Sequence, residues 1–156
     1  MFIVFNIKNC LNWQARLGLF TELMDKMHIQ GICVYAGGDM ACVKKYGKYG
    51  NHPQYAAFMG NEKYLSLFNE NGINVINSIT SLAMDHYDIY KMLIEENICS
   101  SLQIGVKDAD GVYKWLICFD TFGDHKRKWS HDDIMSIYVL IKTIAKLDEI
   151  NDEKKL

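Results

Sequence analysis

The sequence predicts an α+β domain: a central antiparallel sheet with the terminal helices packed on one face and short helices and a loop on the other. Three observations predict it. Two hairpin signals, each turned by glycine, span 29–46 and 98–121, with no helical crossover between parallel strands. Helical periodicity brackets the chain at 11–27 and 130–150. Between the hairpins lie two short capped segments instead of a strand–helix–strand alternation. The 156 residues suit one domain, 1–156, with 1–8 as a lead-in and 151–156 as a frayed tail. A chain of this size buries roughly 68–70% of its unfolded surface, enough for a real core.

The elements follow in order. Leu11, Ala15, Leu19, Leu23 and Met27 recur every four residues, widened by Phe20 and Met24, with Asn9 as N-cap. Residues 29–35 read as a strand, Gly37-Gly38 as its turn, and 40–46 as the returning strand. From 47 to 60 glycines and Pro53 break the pattern, yet Tyr46, Tyr49, Tyr55 and Phe58 sit in or beside this loop. Long loops within compact domains are often functional, although such aromatics more commonly anchor the loop to the core. Asn61 caps a helix over 62–70, and Gly72 follows where a left-handed residue ends it. Residues 75–79 form a brief strand or connector; Asp85 caps a helix over 86–96, ended by Asn97. Residues 98–107 and 112–121 are the two best strands, with Gly111 placed for positive φ in their turn. Ser130 and Asp133 resemble a capping box opening the last helix, whose stripe includes Ile134, Ile137, Ile141 and Ala145.

Composition excludes several classes. The formal net charge is -2, so no polyanion partner and no nucleic acid is expected. The run Lys126-Arg127-Lys128 reads as a solvated loop. The apolar N-terminus is too short for a signal peptide or a span, and no other stretch suits a membrane; a cytoplasmic protein is expected. Cys10, Cys33, Cys42, Cys99 and Cys118 form no paired-ligand spacing and so no metal site, and four of the five sit among apolar neighbours, as buried thiols do. His52, His86 and His125 lack ligand spacing as well. No catalytic motif stands out, and none of these residues is assigned a catalytic role. Asp120, at the end of an apolar strand, reads as a cap for the backbone N–H groups of Phe122 and Gly123. Trp129 reads as a packing residue between helix start and sheet.

Ile98, Ser100, Ser101, Gly111, Phe119-Asp120, Arg127, Trp129-Ser130 and Asp133 together resemble, in order, the closing hairpin and helix start of a bacterial GAF domain. The resemblance implies a PAS-related sheet, a small-molecule pocket between sheet and middle helices, and a homodimer through the terminal helices. It also implies an output module, such as a diguanylate cyclase or histidine kinase, which these residues do not include. Departures narrow the ligand. Gly105-Val106 lacks the usual proline, and Ile117 or Cys118 replaces a glycine. Asp124-His125, Trp129 and Ile134 depart from the cyclic-nucleotide signature, leaving Asp133 alone in place. The Cys-His pair used for bilin attachment is absent, so the cofactor is left unnamed. Candidate pocket residues are Tyr55, Phe58 and Tyr64 from the middle segment, and Ser101, Gln103 and Trp115 from the strands. Strand alternation lets only one parity face inward; Ser101 and Gln103 share theirs. The expected role is a sensory domain. The alternatives are a ligand-free interaction module of the same fold and a thiol-based reductase, which would need an exposed, activated cysteine.

Overall fold

The computed structural model describes residues 21–36, 39–44 and 57–154. Helix α1, Thr21–Met27, leads into β1, Gly31–Ala36, and β2, Asp39–Lys44. Two one-turn helices follow, α2, Ala57–Gly60, and α3, Glu62–Leu65. Then come β3, Ile73–Ile76, a 3-10 turn at Ile79–Leu82, and α4, Tyr87–Glu95. Strands β4, Ile98–Lys107, and β5, Tyr113–Phe122, precede the long helix α5, His131–Lys154. The predicted helix at 11–20, the Gly37-Gly38 turn and the 45–56 loop, with Tyr55, lie outside the described residues.

The five strands form one antiparallel sheet in the order β2-β1-β5-β4-β3. The two local hairpins lie side by side, joined where β1 pairs with β5, from Gly31 opposite Asp120 to Ala36 opposite Trp115. Strand β1 is buried throughout, as a central strand covered on both faces must be.

Strand alternation divides the core in two. Ile32, Val34, Leu102, Ile104, Trp115, Ile117 and Phe119 pack with Met24 of α1 and Ile137, Ile141 and Ala145 of α5. The other parity, with Cys33, Tyr35, Ile76, Leu116 and Cys118, packs under Phe58, Tyr64, Phe68, Ile89, Met92 and Leu93. Terminal helices therefore share one face and middle helices the other, as the sequence predicts.

Local chemistry explains the boundaries. Helix α1 ends in a Schellman-type cap: the Ile29 N–H donates to the Met24 carbonyl at 3.0 Å, with His28 at φ 55. Asn61 caps α3 by accepting from the Tyr64 N–H at 3.0 Å, as predicted. The helix stops at Leu65, well short of residue 70, because the Ser66 hydroxyl turns back to the Lys63 carbonyl at 2.6 Å. Helix α4 is capped at His86 without a side-chain bond, and not by Asp85, whose carbonyl instead accepts from Lys63 Nζ at 2.7 Å. Asn97 ends α4 at φ 61, and Gly111 turns the β4–β5 hairpin at φ 79. Helix α5 opens on Ser130, which accepts the Asp133 N–H at 3.1 Å, and it continues through Lys154 past the expected fray at 151.

Two further expectations are corrected. Cys33 is disulfide-bonded and not a buried thiol. Cys118, buried, and Cys99, half-buried, are free. Arg127 is not solvated: its guanidinium donates to the Met27 carbonyl and to Asp133 Oδ2, and lies 4.3 Å over the Trp129 ring. Trp129 is buried in the α5-side core, which is the packing role predicted for it. Among the described residues no helix is long and apolar enough to cross a membrane.

Candidate functional site

The sheet face under the middle helices carries an unusual row of polar positions. In register across the five strands stand Cys42, Cys33, Cys118, Gln103 and Asn74. One row along, Ser101 faces Asp120. Apolar packing is the default on a face enclosed by helices, so each buried polar group here requires a partner.

Most have one. The Tyr64 hydroxyl, carried in on α3, donates to Gln103 Oε1. Asn74 Nδ2 donates to Gln103 Oε1 at 3.3 Å and reaches the Tyr64 oxygen at 3.4 Å. The Ser101 hydroxyl donates to Asp120 Oδ1 at 2.7 Å. Gln103 Nε2 is the exception. Gln103 is 0% exposed, its oxygen is committed to two donors, and its amide nitrogen has no hydrogen-bond partner.

Aromatic rings enclose the cluster. Phe58 lies 5.1 Å from Tyr64 and 5.5 Å from Tyr35, centroid to centroid. Phe68 and His86 meet Tyr64 edge-on at 6.0 and 5.7 Å. Burial pushes the Tyr64 hydroxyl well above its ordinary range, with Cys118 and Asp120 adding to the rise against the hydrogen bonds with Gln103 and Asn74. Burial, then Asp120, raises the Cys118 thiol in the same way. Tyr64 and Cys118 therefore stay neutral at physiological pH. Beside the Asp120 carboxyl, Tyr64, Gln103 and Asn74 offer neutral hydrogen-bonding groups in an apolar, low-dielectric setting, which suits recognition.

The predicted residues separate cleanly. Phe58, Tyr64, Ser101 and Gln103 come together on this face. Trp115 does not: it pairs with Val106 in the opposite parity and packs under α1 and α5. Sequence reading missed Asn74, because β3 begins at Ile73 and not at 75. It also misread Asp120. The Phe122 N–H donates to Gln30 Oε1 at 2.6 Å and the Gly123 N–H to the Asn97 carbonyl at 2.8 Å, so Asp120 is spared for Ser101. A cavity of about 630 Å³ lies elsewhere, on the α1 side, with Met24, Met27, Ile29, His125 and Arg127 in its wall. Among the described residues no group of three His, Cys, Asp or Glu side chains is arranged to hold a metal ion.

No family model matches the chain, and no curated protein does. Solved structures do. The cyanobacteriochrome receptor PixJ matches at TM-score 0.60 and 16% identity, over 88% of this chain and 97% of that one. The PixJ GAF domain of Thermosynechococcus elongatus, in its blue-light-absorbing form, matches at TM-score 0.54 and 13% identity, over 90% and 93%. The fold is that of a GAF domain. A mutated NreA protein from Staphylococcus aureus, altered in its nitrate-binding site, matches at TM-score 0.51 and 10% identity, over 81% and 99%. At these identities the likeness is one of fold, so the site of this GAF-like domain rests on its own residues.

Proposed function

We propose that this GAF-like domain is a cytoplasmic, bacterial sensory module that binds a small molecule against the Tyr64–Gln103–Asn74 cluster. The observation that carries this reading is Gln103 Nε2, a fully buried donor without a partner between the sheet and the middle helices. Leaving such a donor unpaired costs about 1–3 kcal/mol, which a ligand bearing an acceptor atom would recover. The aromatic walls and the neutral Tyr64, Gln103 and Asn74 groups suit a small uncharged or delocalised ligand. The similar structures include photoreceptors and a protein with a nitrate-binding site, which supports a sensory role while leaving the ligand open. Binding would bias the helices that cover the sheet, and a homodimer through the terminal helices would pass the change to an output module. The ligand shifts that equilibrium only by its differential affinity for the two states. Tyr64, Gln103 and Asn74 act here as hydrogen-bonding groups, so the reading is of a binder.

Native mass spectrometry with a thermal-shift screen of metabolites and small anions tests it. A compound that stabilises the wild type and fails to stabilise Gln103→Leu supports the reading; stabilisation unchanged by Gln103→Leu refutes this site. One observation favours a second reading. Tyr64 and Phe58 fill the space above Gln103, as they would in a ligand-free interaction module. A protein that no compound stabilises, yet dimeric at micromolar concentration, would select that alternative.

A further inference from the structure

Cys33 is disulfide-bonded, while Cys99 and Cys118 are free. The position directly opposite Cys33 on β2 is Cys42, and directly opposite it on β5 is Cys118. Facing residues of an antiparallel pair have Cα atoms about 4.5–5.5 Å apart, inside the span a disulfide bridges. Cys33 thus has a cysteine in bonding register on each side. We propose that Cys42, Cys33 and Cys118 form a thiol–disulfide exchange site, in which the bond held by Cys33 moves between the edge strand β2 and the interior strand β5.

The row sets the order of the reacting atoms. Attack on a disulfide runs along the bond being broken, and three neighbouring strands place attacker, centre and leaving group in that sequence. The Cys118 thiol, buried and neutral at rest, gives up its proton only as its sulfur attacks Cys33 Sγ, and that proton passes to the departing Cys42 sulfur. The Cys33–Cys118 bond forms as the Cys33–Cys42 bond breaks, and Cys42 is left as a thiol. One disulfide and one thiol stand on each side of the exchange, so no outside oxidant is needed. Among the described residues β2 is an edge strand, so the row of facing positions ends at Cys42. Beyond Cys118 the same row continues to Gln103 and Asn74, so one position of the bond is the cross-strand neighbour of the polar cluster. The exchange stands whether or not that cluster binds a ligand.

The test is a disulfide map. The full chain is quenched in acid, alkylated with N-ethylmaleimide in denaturant and digested without reduction. The wild type should show Cys33 joined to Cys42, with a Cys33–Cys118 peptide appearing on incubation with a trace of reduced glutathione. Cys42→Ser, treated with glutathione disulfide, should form Cys33–Cys118 as its main cross-link and release two equivalents of glutathione. Adding Cys99→Ser should leave that product unchanged, whereas adding Cys118→Ser should stop at a glutathione adduct on Cys33. Circular dichroism checks that each variant is folded. A wild-type Cys33 bonded to Cys10 would overturn the proposal. So would a folded Cys42→Ser protein whose Cys118 is fully alkylated beside a glutathionylated Cys33.

Discussion

Tyr64 shows how one residue can close a wall and serve a polar group at once. Its ring is buried among Phe58, Phe68 and His86, and its hydroxyl ends on Gln103. Tyr64→Phe keeps the ring and removes the donor, so it should cost about 1–3 kcal/mol in urea denaturation at neutral pH. The alkaline limb gives a second readout. The folded Tyr64 hydroxyl ionises later than the unfolded one, so its stabilising contribution is complete below the ordinary tyrosine range. It is lost as the pH rises from that range toward the folded value. Tyr64→Phe should therefore flatten unfolding above about pH 10, followed by circular dichroism. Glycines make a sharper comparison. Gly72 and Gly111 both have positive φ, 78 and 79. A Cβ on Gly72 would lie 2.3 Å from the Gly105 carbonyl oxygen, whereas one on Gly111 meets nothing within 4 Å. Gly111→Ala should cost about 1–2 kcal/mol from φ alone. Gly72→Ala should cost clearly more, since the edge strand must also shift away from β4.

At the scale of elements, the loop from β5 to α5 is held by Arg127. It ties the C-terminal end of α1 to the first turn of α5 through the Met27 carbonyl and Asp133. Arg127→Ala should destabilise the domain by about 1–3 kcal/mol. The hydrogen bond from Arg127, foremost, holds the Asp133 carboxyl below its ordinary value. That contribution is present above the unfolded carboxylate pKa and disappears as pH falls through the lowered folded value. The difference between wild type and Arg127→Ala should accordingly shrink between neutral pH and about 3 in urea titrations. These elements also mark what a sequence reveals. The β4–β5 hairpin and the Ser130 helix start were legible because their signals are local: alternation, a glycine turn, a cap three residues from its partner. Phe58, Tyr64, Ser101 and Gln103 were found as pocket candidates by composition and parity. Trp115 was misplaced because parity says which residues share a face, but not which helices cover it. Asp120 was misread because the cap it was assigned comes from Gln30, across 92 residues of chain. Asn74 was missed because β3 begins where pairing with Gln103 and Ile104 demands, and nothing local announces that pairing.

Among the described residues the sheet lies between two unlike layers, short helices over a face that carries polar groups and terminal helices over an apolar core. Along α5, Met135 and Val139 remain exposed one turn apart, 38% and 58%, while Ile137 and Ile141 are fully buried. If the homodimer forms through this helix, Val139→Glu should shift the protein to monomer in light-scattering chromatography, with little change in the melting temperature of the protomer. A variant that stays dimeric would move the interface elsewhere.

The join between β1 and β5 has a kinetic consequence. The β4–β5 hairpin closes over a five-residue turn and needs little search, so it can form within microseconds. The β1–β5 seam, with Gly31 opposite Asp120 and Arg127 reaching Met27 across 100 residues, must close well over half of the chain. Loop-closure entropy places that event late, after the rate-limiting barrier. Changes at the hairpin turn should then slow refolding, while loosening the seam should mainly speed unfolding. The two sides of the seam would act as a clasp: last to engage during folding, first to let go.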